Sequence, residues 1–479
     1  MSVPEPIPGG QFPPEVKALH GQLSPAAAAF LEFTERVPEA LSRHKFKPHE
    51  ASPFITYELH AWPTFVEGPV ARQMREVAPA LCRLIKRAPR RLLGATDRAA
   101  AFYGLPHERA HAALEALART DDARGAIGRG DFIHDGTAFK CVEFNLTAGV
   151  GGWETAIHVQ QVLAQPAMQR FAMEQRLRVR QPRTLRDFFS NVVDTVRRDI
   201  DWEGECNIGI LFSPSTLPEA GPAEQVSRFF TSQLQELLQP EGARGEVLLA
   251  AYGSVESEPR AHLTLRGKRL HAVVEYDARD RQAMAGATYV AQAQAAFDAR
   301  TVSLLNGPAQ DVLDDKRNLA LLWEHVTSPA LSEAEQELVR RNVPWSCRVE
   351  RTHVERDGAR YLVPELLASQ RESLVLKPGR DYGGESVLVG GTTSAADWDT
   401  AVRKALDVGG WVVQERVHPM PLHTLGPEGT VVPYIAVWGL FVLGETYGGH
   451  FLRMCPMRRG TGVVNVAQGA IVGALIELE

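Results

Sequence analysis

Two periodicities take turns along the chain, apolar positions recurring every 3.6 residues in some stretches and every second residue in others, so helices and strands alternate. A Pro/Gly-rich lead-in runs to about residue 22. Ser24-Pro25 then opens a helix, with Ser as N-cap and Pro where a missing N–H costs nothing. Helical spacing returns at about 66–89 and 107–119, so the first 125 residues read as mainly α-helical. Between them, 52–65 is dense in aromatic residues; packing is the expected role and ligand contact the alternative.

The stretch from Arg129 to Glu154 changes the pattern. Asp131 opens one short apolar strand and Glu143 and Asn145 close the next, with a turn at His134-Asp135-Gly136, so a β-hairpin is expected. Alternation puts Glu143 and Asn145 on one face, and an antiparallel partner brings Asp131 and Arg129 to it. Two carboxylates and an amide oxygen form a hard-oxygen set suited to Mg²⁺. The same residues would also suit the wet face of an ordinary hairpin. Gly149 to Gly152 then form either a tight turn or a place where backbone N–H groups meet an anion, before a helix from about Trp153.

Helical spacing at about 159–176 and 184–199 leads to the apolar run 207–212, a strand covered on both faces. A helix at about 222–238, a strand around 245–252 and a hairpin over 263–276 complete an α/β unit. No G-x-G-x-x-G follows its first strand, which argues against a dinucleotide site. Lys316 stands near the start of the next helix, and Ser332 with Glu335 forms a capping box. Over 373–389 two β-runs flank a loop holding Gly379, Gly383 and Gly384, with Lys377 ending the first run; such a loop can lay amides over phosphates. A helix capped by Ser394 and Asp397 stops at Gly409-Gly410, and the strand 411–417 follows. The chain closes in antiparallel strands carrying Arg453, Asn465 and Gln468 where a ligand could be met.

Composition narrows the class. At 479 residues, 44% hydrophobic and 23% charged, the chain can bury large cores in two to four domains. A net charge of -6 argues against a nucleic-acid footprint. The basic cluster Arg83, Lys86, Arg87, Arg90 and Arg91 reads as a solvated helix face. The N-terminus lacks an export pattern, no apolar run reaches the roughly 18 residues of a membrane helix, and five scattered cysteines form no C-x-x-C. A cytoplasmic protein with reduced thiols is expected.

Taken together, the motifs resemble the ATP-grasp ligases in the circularly permuted arrangement of glutathionylspermidine synthetase, where the metal-binding E-x-N precedes the lysines. Arg129, Asp131, Glu143 and Asn145 resemble the family's R-x-D and L-E-x-N. D-D-K-R-N-L-A-L-L-W resembles S-N-K-x-x-L-x-x-L-W and places Lys316; K-P-G-R-D-Y-G-G resembles the K-P-x-x-G-x-x-G loop and places Lys377. V-V-Q-E-R-V is similar to the segment whose backbone reads adenine, which implicates Gln414, Glu415 and Val417. R-M-C-P-M-R-R-G-T-G-V-V-N-V-A-Q-G-A is similar to the family's closing motif. Asp315 stands where the family has Asn, and Ala470 where it has Gly. No amidase domain fits the length, and no polyamine-binding residues match.

The resemblance implies a permuted ATP-grasp fold of α/β class with α+β character: a mainly helical region 1–125, the metal-binding hairpin and helices 126–204, a Rossmann-like α/β subdomain 205–310, a nucleotide-binding subdomain 311–420 and completing strands 421–479. It implies that ATP phosphorylates a carboxylate and that an amine attacks the acyl phosphate, giving an amide, ADP and phosphate. Asp131, Glu143 and Asn145 would hold Mg²⁺, and Lys316, Lys377 and the loop with Gly379, Gly383 and Gly384 the ATP phosphates. Arg129 would stabilise developing charge, with Gly151, Gly152, Arg453, Asn465 and Gln468 as possible substrate or phosphate contacts. The expected partners are a small-molecule or peptide carboxylate and an amine, with no nucleic acid and no membrane. A phosphotransferase of the same architecture and a non-catalytic nucleotide- or peptide-binding homologue are the alternatives.

Overall fold

The computed structural model describes residues 11–37, 40, 55, 57–119, 125–276, 286–380, 386–426, 429–457, 463–466 and 469–479. Gly383, Gly384 and Gln468 lie outside them. In chain order, the strands along the three larger sheets are β1 (Leu59–Val66), β2 (Ile127–His134), β3 (Phe139–Asn145), β4 (Ile208–Phe212), β5 (Val247–Ala251), β6 (Ala272–Glu275), β7 (Ser303–Leu304), β8 (Ser346–Arg348), β9 (Leu374–Pro378), β10 (Leu388–Val389), β11 (Trp411–Glu415), β12 (Val431–Leu443), β13 (Thr446–Pro456) and β14 (Ile471–Leu478). Three helices matter most: α1 (Gly68–Ala88), α2 (Thr155–Leu163) and α3 (Arg317–Glu324).

The fold is mixed α/β. Among the described residues the largest sheet runs β1-β14-β13-β12-β2-β3, with Leu422–Leu425 and Val179–Arg180 attached off that path. Its two faces have separate jobs, and each strand's alternation assigns them. On β12 and β13, Ala436, Trp438, Leu440, Leu452 and Met454 enter the main apolar core. Their neighbours Ile435, Val437, Phe451 and Arg453 face a cavity on the opposite side. α1 covers the core face because Val70, Met74, Val77, Leu81, Leu84 and Ile85 form one buried stripe at spacings of three and four.

A second sheet, β7-β6-β4-β5, is wholly parallel and is buried on both faces, as the apolar run 207–212 foretold. A third, β8-β11-β9-β10, is antiparallel.

Several elements differ from expectation. The described N-terminal residues are mainly helical, as expected, but they also hold a strand that was not: β1 pairs in parallel with β14 at the far end of the chain. The expected helix 159–176 is two, Thr155–Leu163 and Pro166–Glu174, because Pro166 has no N–H with which to continue the first. The expected hairpin over 263–276 is split: His262–Leu265 turns back on Lys268–Arg269, whereas β6 leaves to join the parallel sheet. The basic cluster is solvated in part: Arg87, Arg90 and Arg91 are exposed, Arg91 with Nη1 2.7 Å from Glu335 Oε1, Arg83 is half-buried, and Lys86 alone is buried. Capping follows the sequence closely: Ser332 and Glu335 make a full capping box, and the Ser394 side chain accepts from the Asp397 amide. The five cysteines are free thiols, four of them buried. Among the described residues no helix is long and apolar enough to cross a membrane.

Candidate active site

β2 and β3 pair antiparallel, with Arg129 opposite Asn145 and Asp131 opposite Glu143. Asp131 does not open its strand; β2 begins at Ile127 and carries Asp131 at its middle, flanked on the other side by β12. Strict alternation along β3 would place Phe139, Cys141, Glu143 and Asn145 on one face. The structure inserts a bulge instead: Asp131 faces Glu143 but Phe132 faces Cys141, leaving Val142 as one extra residue. Phe139 and Cys141 therefore stay in the core while Glu143 and Asn145 turn to the cavity. The bulge has a second effect, because the Val142 carbonyl accepts a hydrogen bond from Lys377 Nζ at 2.8 Å.

Charges converge on this hairpin from four segments. Asp131 accepts from Arg129 Nε at 2.9 Å and Nη2 at 3.3 Å, and from Asn145 Nδ2 at 3.3 Å. Arg453 Nη2 lies 2.6 Å from Asp131 Oδ1 as an ion pair without good hydrogen-bond angles, and Arg453 Nε has no partner among the described residues. Burial alone would raise the Asp131 pKa, but the two guanidinium groups outweigh it and hold the carboxylate below its usual range. Both guanidinium groups flank the ring of Phe451, at 5.4 and 5.3 Å.

The two lysines behave differently. Lys316, at the start of α3, places Nζ 3.0 Å from Glu143 Oε1; burial alone would lower its pKa, but that carboxylate outweighs it and the pKa is raised. Among the described residues, Lys377 on β9 is held by neutral oxygens, the Val142 carbonyl and Gln414 Oε1, each at 2.8 Å. Burial dominates there, against an opposing pull from Glu143, and lowers its pKa to about 8. Gln414 in turn donates to Ser346 Oγ at 3.0 Å, so its side chain positions Lys377.

These groups line one cavity of about 570 Å³. Its wall includes Arg129, Asp131, Glu143, Asn145, Gly151, Gly152, Lys316, Lys377, Gln414, Glu415, Val417, Arg453 and Asn465. Gly379 is not on that wall. Its carbonyl accepts from the Lys316 amide at 2.9 Å and its own amide donates to Gly410, tying the loop to the start of α3. Asp315, where the resembled motif has Asn, is buried and pairs with Arg317 at 2.6 Å and Arg380 at 3.0 Å, a carboxylate suited to two cations. In the 414–417 segment the Glu415 and Arg416 amides are already used, on Trp345 and Ser373 carbonyls.

Some lining residues were not singled out from the sequence. Tyr57 belongs to the aromatic stretch 52–65, whose Trp62 and Phe65 pack in a core while Tyr57 reaches the cavity. Glu154 follows the glycine turn; its carboxylate accepts from the Tyr57 hydroxyl and from the Gly152 amide at 3.2 Å. Trp153, Tyr276 and Phe451 complete the aromatic part of the wall. No local motif announces these residues; only the tertiary fold brings them together.

The donor set for a metal is two carboxylates and one amide on adjacent rungs of a hairpin. Among the described residues, no group of three or more His, Cys, Asp and Glu could hold an ion. That chemistry fits a hard cation such as Mg²⁺ that shares its coordination with substrate phosphates, and does not fit a zinc cage.

No protein-family model matches the chain, and no curated protein sequence does. Among solved structures, it is similar to a glutathione synthetase-like effector from Globodera pallida in its apo form, with a TM-score of 0.55 and 14% identity. The match covers 98% of this chain and 99% of that one. At that identity the likeness concerns the fold, which extends over the whole chain and is of the same mixed α/β kind.

Proposed function

We propose that the protein is an ATP-dependent carboxylate–amine ligase, an ATP-grasp enzyme in circularly permuted order, working through an acyl phosphate. The observation that carries this reading is the single cavity in which Arg129, Lys316, Lys377 and Arg453 surround Asp131, Glu143 and Asn145. Around the hairpin four cations meet two carboxylates, and over the whole wall Arg416 makes five cations against four carboxylates with Glu154 and Glu415, so positive charge is left for a polyphosphate. The whole-length likeness to a glutathione synthetase-like protein supports the same class.

Asp131, Glu143 and Asn145 would hold Mg²⁺, which when bound neutralises phosphate charge and orients the transferred group. Lys316 and Lys377 would exchange their present oxygens for phosphate oxygens. Arg129, fixed through Asp131 and through the Gly151 carbonyl at 2.6 Å, would face the oxygen on which charge develops as the phosphoryl group moves and as the amine attacks. An acyl phosphate hydrolyses where water reaches it, so turnover would require water to be excluded from the loaded site.

The test is ADP release across a panel of carboxylic acids with hydroxylamine as trapping nucleophile, reading hydroxamate by colour and product by mass. Glu143→Gln is expected to lower acid-dependent ADP release on the order of 10²-fold or more with the circular dichroism spectrum unchanged. Turnover of that variant at the wild-type rate would remove Glu143 from the site. A stable phosphorylated product with no hydroxamate would instead mark a phosphotransferase.

A further inference from the structure

Glu154 stands apart from the other carboxylates on the cavity wall. Asp131, Glu143 and Glu415 each have a cation within 4 Å, supplied by Arg129 and Arg453, by Lys316 and by Arg356. Among the described residues Glu154 has no ion pair, although it is 3% exposed. Its partners, the Tyr57 hydroxyl and the Gly152 amide, hold its orientation without neutralising it. Arg129 is nearby, but its hydrogen bonds go to Asp131 and the Gly151 carbonyl. A carboxylate buried without a countercharge is costly, and a cation arriving from solution relieves that cost.

The surroundings say what kind of cation. Tyr57, Trp153 and Tyr276 wall this end of the cavity, and ring faces attract ammonium groups. Val150, Trp153 and Tyr276 also border a second, apolar cavity of about 40 Å³, walled further by Phe188, Phe212 and Phe230, with room for a short alkyl group. We propose that this recess is the acceptor subsite, that it takes a primary ammonium compound with an apolar substituent, and that Glu154 removes the proton that frees the amine to attack. Its chemistry rests on the ligase reading.

The step balances without another reactant. The ammonium gives one proton to the Glu154 carboxylate, and the freed nitrogen lone pair forms the C–N bond at the acyl carbon. The bond from that carbon to the phosphate oxygen breaks, and its electron pair leaves with phosphate. The second nitrogen proton goes to the departing phosphate, and Glu154 returns its own to solvent. Burial raises the Glu154 pKa, against the hydrogen bonds from Tyr57 and Gly152 and the charge of Arg129, which suits a group that must hold a proton between steps.

The experiment titrates n-butylamine, benzylamine, glycinamide and benzyl alcohol into the protein with and without Mg²⁺ and a non-hydrolysable ATP analogue, followed by ligand-observed NMR. Butylamine or benzylamine is expected to bind at least 10-fold more tightly than benzyl alcohol and more tightly than glycinamide. Glu154→Gln keeps the shape and a hydrogen-bond acceptor; it is expected to weaken amine binding 10-fold or more, with its unfolding temperature near wild type, whereas Glu154→Asp restores part of the affinity. Amine affinity should fall as pH drops through a range above that of an ordinary carboxylate, about 4.3. The charged and titratable groups acting on Glu154 are Tyr57 before β1 and Arg129 on β2, with Tyr276 after β6 beside Tyr57; burial pushes the Tyr57 hydroxyl up, so it stays neutral over that range. Equal amine affinity in wild type and Glu154→Gln, or no amine binding at all, overturns the inference. Nucleotide binding is read in the same wild-type samples: its absence sinks the ligase reading, whereas lost amine binding with nucleotide binding intact sinks the subsite alone.

Discussion

Lys316 and Lys377 show how far one neighbour decides the state of a buried amine. Both lie beside Glu143, Lys377 buried and Lys316 nearly so, but only Lys316 touches it, and their pKa values move in opposite directions. Lys377 titrates at about 8 when folded and 10.5 unfolded, so the folded chain binds fewer protons between those values. Its unfavourable contribution, about 3 kcal/mol, is therefore full below pH 8 and fades as pH rises toward 10.5. A triphosphate reaching Lys377 would replace two neutral oxygens with negative ones and raise the pKa again. At pH 8, nucleotide binding should take up about half a proton at this group. Calorimetry in Tris and in HEPES, whose ionisation enthalpies differ, should show that uptake in wild type and its loss in Lys377→Met; an identical buffer dependence in both would take Lys377 out of phosphate contact. At this scale the sequence speaks clearly where spacing is short. Asp131, Glu143 and Asn145 share a face through strand alternation and direct pairing, though the Val142 bulge that turns Phe139 and Cys141 to the opposite face leaves no local signature. Tyr57 and Glu154 meet across 97 residues, beyond the reach of any periodicity.

Among the elements, the turn after β3 is the least forgiving. A Cβ at Gly149 would fall inside the carbonyl of Tyr276, the residue that follows β6, so the turn and the parallel sheet are in contact through bare backbone. A Cβ at Gly151 would meet nothing within 4 Å. Gly149→Ala is thus expected to lower stability by ~2–3 kcal/mol, read as a drop in the urea midpoint, with Gly151→Ala near neutral. Equal midpoints for the two variants would mean that the turn can move away from Tyr276 at little cost. From sequence alone this turn was ambiguous, since four residues with three glycines serve an anion or a sharp bend equally well. Helix caps, by contrast, were legible at Ser24, Ser332 and Ser394, because a cap is a bond between residues two or three positions apart. β1 was not legible: its partner lies about four hundred residues away in β14, and Pro63 within it weakens the strand signal.

For the whole molecule, charges drawn from distant parts of the chain close on each other before any ligand arrives. Arg129 and Arg453 occupy Asp131, and Lys316 occupies Glu143, so each carboxylate suited to a metal already has a countercharge. A divalent cation entering alone must displace buried guanidinium and ammonium groups and leave them without partners, a loss on the order of several kcal/mol. A triphosphate changes the balance, because its oxygens accept those displaced cations while sharing the metal. Mg²⁺ titrated into the protein alone should therefore give little heat and leave the unfolding temperature unmoved. With a non-hydrolysable ATP analogue present, the two together should stabilise the fold by about 2.7 kcal/mol at one hundred times the dissociation constant. Asp131→Asn should abolish the metal dependence of that gain while leaving part of the nucleotide's own. Tight Mg²⁺ binding in the absence of nucleotide would show that the ion pairs do not guard the carboxylates, and that the cavity is assembled around a resident metal instead of around the phosphates it receives.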